Sequence, residues 1–471
     1  MSETGDRPDP DTFFLPVRTL SERIRKRELS PVELTIGYLD RLETIGRRLG
    51  AVVTVTRDLA LRDASAAEAE IARGNWRGPL HGIPYAAKDL LATAGIPTTW
   101  GAEPLRNQVF DFDATIVRRL REAGAVLLGK LSMIELAGAL GYNNADASLT
   151  GPCRNAWNGA FWSGGSSSGP AAAVGAGLVA FSIGSETSGS ILTPAAFSGV
   201  SGLRPTFGRV SRHGAMPLCP TLDKIGPFAR TADDCGLVMA AITEADPFDA
   251  ATVDCPWRSA PAAKGRFRVG VIRDSVKGVQ PEVARNFQEA VSALGTFCDV
   301  DDDVPFPDFP YGRTISTIIR TDAAAAFHDL IESGATRTLH TARRGRSGFS
   351  TSSAPADAYR KAQGLRIPIT KALEALYSNY DALLSPSSPT VATPIGVDFD
   401  EAYPAFGGGP AVIAAGNLAG QPALSVPIGF GENGLPTGLL LTGRAFSDEI
   451  LVAIAAEYQR RTDWHTRRPP V

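Results

Sequence analysis

Two clusters of serine and glycine lie close together in the chain, Gly164-Gly165-Ser166-Ser167-Ser168-Gly169 and Gly184-Ser185-Glu186-Thr187-Ser188-Gly189-Ser190. Serine hydroxyls supply a nucleophile, and glycine leaves backbone N–H groups unhindered, so the clusters could attack an acyl group and hold the resulting oxyanion. A serine is a weak nucleophile until a base takes its proton. Lys88 is a candidate base, because it ends the apolar run Gly82-Ile83-Pro84-Tyr85-Ala86-Ala87. Desolvation there would lower its pKa toward the neutral form that accepts a proton. The plainer alternative is a lysine paired with Asp89 at a strand end. Gly165 to Gly169 also matches the G-x-S-x-G nucleophile elbow, with Ser167 at the turn. That rival needs an apolar strand upstream and a histidine partner. The chain offers only Asn158-Gly159-Ala160-Phe161-Trp162 and five histidines (His81, His213, His328, His340, His465), none of them marked as a base.

The elements around these residues alternate between helix and strand. Ser30-Pro31-Val32-Glu33 predicts a capped helix running toward Gly50, followed by a strand over 51–56 and a helix over 59–72. A strand over 83–88 puts Lys88 at its end. Asp113 is expected to cap a helix reaching Gly124, residues 125–129 form a buried strand, and Ser132 with Glu135 suggests a second capping box. Further strands at 268–272, 382–384 and 438–442 alternate with helical patterns such as 358–376. The expected fold is α/β, with a large parallel or mixed sheet under helices. The aperiodic stretch 141–169 reads as a functional loop. The acidic run Asp299, Asp301, Asp302, Asp303 lacks calcium-loop spacing and reads as a solvated turn.

Composition narrows the function. With 471 residues, 44% hydrophobic and 21% charged, the chain is an ordinary globular protein, and nothing divides it, so one domain over 1–471 is expected. Forty-seven basic against 50 acidic residues argue against a nucleic-acid surface. Five scattered cysteines suit reduced thiols and neither a disulfide framework nor a metal site. No signal peptide or membrane span is expected, which points to a cytoplasmic protein acting on small molecules.

Taken together, the motifs resemble the amidase-signature hydrolases. They are His81-Gly82-Ile83-Pro84 leading to Lys88, the two Ser/Gly clusters, Gly202-Leu203-Arg204-Pro205-Thr206 running to Ser211, Asp223-Lys224-Ile225-Gly226-Pro227, and Gly416-Asn417-Leu418-Ala419-Gly420-Gln421-Pro422-Ala423. The resemblance covers most of the chain, with a core signature region of about residues 75–235. It implies a single domain with a twisted mixed sheet flanked by helices on both faces, no metal or organic cofactor, and, as is common among such proteins, a homodimer. It also implies a catalytic Ser190, a relay Ser166 in a cis peptide after Gly165, and Lys88 as base. The 24-residue spacing (190 − 166) is the family's. Backbone N–H groups of Thr187, Ser188, Gly189 and Ser190 would form the oxyanion hole.

One departure bears on substrate. Most relatives read Asp-Thr-Gly-Gly-Ser-Ile-Arg where this chain has Glu186-Thr187-Ser188-Gly189-Ser190-Ile191-Leu192. Either Glu186 and Leu192 repack locally, with Glu186 finding Arg204, or loss of the arginine steers the acyl pocket toward neutral, apolar or aromatic substrates. On the second reading the chain cleaves amides, anilides, and aryl carbamates (urethanes) or esters. The alternative within the family is the glutamine-hydrolysing subunit of a tRNA-dependent amidotransferase, although the basic Lys-Arg-Arg stretch such subunits share is not found. Leu140, Gly141, Tyr142 and Leu192 are the expected acyl-site lining. The Phe406-Gly407-Gly408-Gly409 loop and the 310–350 region are expected on the leaving-group side.

Overall fold

The computed structural model describes residues 8–258, 265–343 and 354–471; residues 344–350 of the region expected at the leaving-group side therefore lie outside the described residues. Eleven strands form one sheet among the described residues: β1 (Val52–Val55), β2 (Pro84–Lys88), β3 (Val126–Leu131), β4 (Phe181–Glu186), β5 (Ser201–Arg204), β6 (Lys224–Ala229), β7 (Phe267–Ile272), β8 (Cys298–Val304), β9 (Ala382–Pro386), β10 (Ala423–Phe430) and β11 (Pro436–Thr442). Their order is β1-β3-β2-β4-β6-β5-β10-β11-β9-β7-β8. The sheet is mixed: β3, β2 and β4 run parallel, as do β8, β7 and β9, while β6, β5, β10 and β11 are joined by antiparallel pairs. Every residue of β2, β3, β6 and β11 is buried. Alternate side chains point to opposite faces, so burial of the whole strand means that helices cover both. No described helix is long and apolar enough to cross a membrane.

Several expected elements form where local chemistry favours them. Ser30 caps the helix Pro31–Arg41 by accepting from the Val32 and Glu33 N–H groups, and the helices Arg57–Ala72 and Ala356–Tyr377 match the predicted ones. Three expectations are corrected. Asp113 does not cap the helix Thr115–Glu122, whose cap position is Ala114; its carboxylate accepts from the Ala94 N–H and pairs with Arg121 at 2.5 Å. Ser132 and Glu135 make no capping box, because Leu136 and Ala137 take positive φ and no α-helix starts there. Glu135 is instead buried against the start of the helix His340–Arg343, accepting from the N–H groups of His340 (2.8 Å) and Thr341 (3.0 Å). The acidic run is an edge strand, β8, and not a turn. Its carboxylates face solvent and pair with Arg266, Arg273 and Tyr380, a charged edge that deters pairing with another chain.

Candidate active site

Parallel pairing brings the key residues together. β2 and β4 are neighbours with Tyr85 opposite Phe181 and Ala87 opposite Ile183, so Lys88 and the Ser185-Glu186 end of β4 leave the sheet on the same side. Ligand sites in α/β proteins form outside the carboxyl ends of parallel strands. The first serine cluster reaches this edge from a loop. The Gly165–Ser166 peptide is cis, as the resemblance implies. Gly164 sits at φ +91°, and a Cβ there would come within 2.6 Å of Pro194 Cα in the helix Leu192–Ser198. Glycine is therefore what allows the Ser166 loop to lie against the element that follows Ser190. The backbone closes the arrangement, with Ser167 N–H donating to the Ser190 carbonyl (3.3 Å) and Ile134 N–H to the Ser166 carbonyl (3.1 Å).

Lys88 is fully buried, and its Nζ lies 2.8 Å from Ser166 Oγ, 2.9 Å from Ser167 Oγ and 2.9 Å from Ser185 Oγ. Burial pushes its pKa down to about 7, against the upward pull of Asp223 and Glu186. An amine at that pKa is substantially neutral at physiological pH and can take a proton from a bound hydroxyl. Both serines are buried, Ser166 more completely (1% exposed) than Ser190 (9%). Ser167 is fully buried; its Oγ donates to the Ser185 carbonyl and accepts from the Ser185 N–H. No described strand precedes Ser167 directly and no described hydrogen bond joins a histidine to the serine clusters, so the elbow reading lacks both its parts. His81 is held between the Arg77 N–H and Glu70, and His213 stacks between Phe112 and Phe248.

Sequence reasoning missed the partners around this core. Ser185 and Ser167 complete the ring of three hydroxyls around the lysine amine, a role no spacing rule signals. Thr187 Oγ1 donates to Asp223 Oδ1 (2.6 Å), while Asp223 Oδ2 accepts from the N–H groups of Leu218 and Cys219. One carboxylate thus ties the loop before β6 to the loop carrying Ser190. Glu186 is fully buried and pairs with Arg204 at 3.0 Å, the local repacking anticipated from the sequence.

Two clefts touch the loop before Ser190, one at Thr187 and one at Ser188. One, a cavity of about 210 Å³, has Ser185, Thr187 and Lys224 inside, Met216 and Leu218 along it, and Phe248 at its rim. The other is lined by Ser188, Ser387 and Ile413, together with Gly407, Gly408 and Gly409 of the expected leaving-group loop. Leu192 has zero exposure and belongs to the main core; its side chain lines neither cleft. Tyr142 packs edge-on against Trp162 and Phe399 in a smaller apolar cluster, and Leu140 lies against the main core. Gly141 is exposed at φ +85°. None of these three lines the two clefts.

Comparison with known proteins shows the family and the fold. A family model described as Amidase matches residues 33–452. Among curated proteins the chain is 38% identical to the glutamyl-tRNA(Gln) amidotransferase A-subunit of Moorella thermoacetica, over 98% of this chain and 99% of that one. Among solved structures it is similar to native peptide amidase from Stenotrophomonas maltophilia (TM-score 0.85, 32% identity, 99% of both chains). It is also similar to the glutamyl-tRNA(Gln) amidotransferase A-subunit of Thermotoga maritima (TM-score 0.78, 30% identity, 96% of both chains).

Proposed function

We propose, from the premise that this chain belongs to the amidase family of hydrolases acting on carbon–nitrogen bonds, that Ser190 is its nucleophile, Ser166 its proton relay and Lys88 its base. The observation that carries the reading is the buried 2.8 Å contact between Lys88 Nζ and Ser166 Oγ. Ser190 Oγ attacks the amide carbonyl carbon and gives its proton to Ser166 Oγ, as the Ser166 proton passes to neutral Lys88. The N–H groups of Thr187, Ser188, Gly189 and Ser190 hold the oxyanion. Collapse breaks the C–N bond, and the leaving nitrogen takes a proton back from Lys88 through Ser166. Water then hydrolyses the Ser190 ester by the same relay. No step needs a metal or organic cofactor.

For substrate, the site supports a neutral, apolar or aromatic amide or anilide, with aryl carbamates and esters open to the same chemistry. Arg204, behind the Ser190 loop, is already neutralised by Glu186. The cavity beside Thr187 sets Leu90, Met216, Leu218 and Phe248 beside Asp223 and the buried Lys224, and its Arg212 is already paired with Asp249. A second reading has a specific observation behind it: the curated relatives, 34–38% identical over nearly their whole length, carry the name of the glutamyl-tRNA(Gln) amidotransferase A-subunit. On comparison alone this glutamine-hydrolysing reading is the better supported of the two. Amine or ammonia release from a neutral anilide, an N-aryl carbamate, glutamine and a carboxylated amide separates them. The neutral-substrate reading expects kcat/KM for the anilide at least about tenfold above that for glutamine. Preference for glutamine would replace that reading with the second while leaving the Ser190 chemistry in place.

A further inference from the structure

Glu186 stands at the end of β4, four residues before Ser190, with zero exposure. Its Oε2 accepts from the N–H groups of Ile191 (2.9 Å) and Leu192 (3.1 Å), the two residues after the nucleophile. Its Oε1 accepts from Arg204 Nη1 (3.0 Å) on β5 and from Asn417 Nδ2 (2.9 Å) on the helix Val412–Leu418. All four partners are donors. A carboxylate can satisfy four donors, whereas an amide offers acceptors on one side only. Arg204, also fully buried, is fixed in turn by the Gln421 carbonyl.

We propose that Glu186 is a positioning residue for the amide hydrolysis assigned above: its ionised carboxylate, neutralised by Arg204 across the sheet, grips both ends of the Glu186–Leu192 loop and fixes the direction in which Ser190 and the oxyanion N–H groups point. This rests on the Ser190 reading. Charge balance comes from β5, behind the loop, and position 192 is left to the apolar core. The same carboxylate is one of two negative groups acting on Lys88, the other being Asp223. Facing Glu186 are the Arg204 guanidinium and the titratable Lys224 amine, the latter its cross-strand partner on β6; Ser166, Ser167 and Ser185 around Lys88 are uncharged. Removing the Glu186 charge therefore favours the neutral form of Lys88.

The test compares Glu186→Gln and Glu186→Asp with the wild type. In Glu186→Gln the amide cannot meet donors on both sides, so kcat should fall roughly 10- to 100-fold through misplacement of the nucleophile, with KM little changed. The acid limb of the pH–rate profile should also move to lower pH, by about half a unit or more. Glu186→Asp keeps the charge and shortens the reach, so its kcat should fall while the acid limb stays in place. Unchanged kcat and an unmoved limb in a folded Glu186→Gln would overturn the proposal. So would activity that falls only in proportion to folded protein, measured by thermal unfolding and circular dichroism. If Glu186→Gln does not fold, Glu186→Asp carries the decision, and an unchanged kcat there overturns the proposal. Failure of the underlying reading is distinguishable, because wild-type hydrolysis would then persist in Ser190→Ala.

Discussion

A Ser190→Ala variant should fold as the wild type does and lose on the order of 10⁴-fold or more in kcat against whichever amide the wild type hydrolyses. The expectation follows from what the side chain does. Ser190 keeps its place through its backbone, by the Ser167 N–H to Ser190 carbonyl bond and the grip of Glu186 on Ile191 and Leu192, none of which needs the hydroxyl. Removing Oγ thus deletes the attacking atom and little else. Ser167→Ala is the informative control. Its hydroxyl contacts Lys88 and Ser185 but has no exposure, so its loss should cost far less, roughly tenfold or below. A Ser190→Ala enzyme close to wild type, with Ser167→Ala inactive, would revive the elbow reading.

The second large effect concerns the base. Lys88→Met fills the same buried space without an amine and should lower kcat by roughly 10²- to 10⁴-fold, the usual worth of a general base. In the wild type the pH dependence has a definite sign. Burial lowers the Lys88 pKa from 10.5 to about 7, and only the neutral amine can accept the Ser166 proton. The rate should be half-maximal near pH 7, fall tenfold per unit below that, and level off on the mildly alkaline side. The surviving activity of Lys88→Met should lose this limb. An acidic optimum in the wild type, or an unchanged limb in Lys88→Met, would remove Lys88 from the role. Lys224, also buried with its pKa lowered to about 7, donates to the Leu222 carbonyl, and Lys224→Met is the control for assigning the limb to Lys88.

Much of the site was legible in the sequence because it depends on residue type at fixed spacing. The Ser/Gly clusters and the apolar strand ending in Lys88 mark the region, and the family resemblance, with its 24-residue interval, singles out the residues that the structure then gathers at one edge of the sheet. Lys88 meeting Ser166 needed only that β2 and the cluster converge. What remained hidden was set by tertiary partners. Asp113 has the composition of a cap, yet Arg121 and the Ala94 N–H use its carboxylate. Ser132 and Glu135 have the spacing of a capping box, yet the chain turns left-handed at Leu136 and Glu135 serves a helix some 200 residues away. β5 and β6 escaped notice because Gly202, Gly226 and Pro227 dilute the period-two pattern. The acidic β8 looked like a turn because an edge strand tolerates the charges an interior strand cannot. Leu192 shows the limit of reading by position: it lies two residues after Ser190 in sequence, while the helix it begins turns its side chain into the core.

The most direct test of the central claim is peptide mapping by mass spectrometry after reaction with a fluorophosphonate, which labels an activated serine without requiring knowledge of the natural substrate. The relay predicts a single adduct on Ser190, formed at a rate that rises with pH through about 7 and falls steeply in Lys88→Met. An adduct on Ser167, or no serine adduct from folded protein, would contradict it.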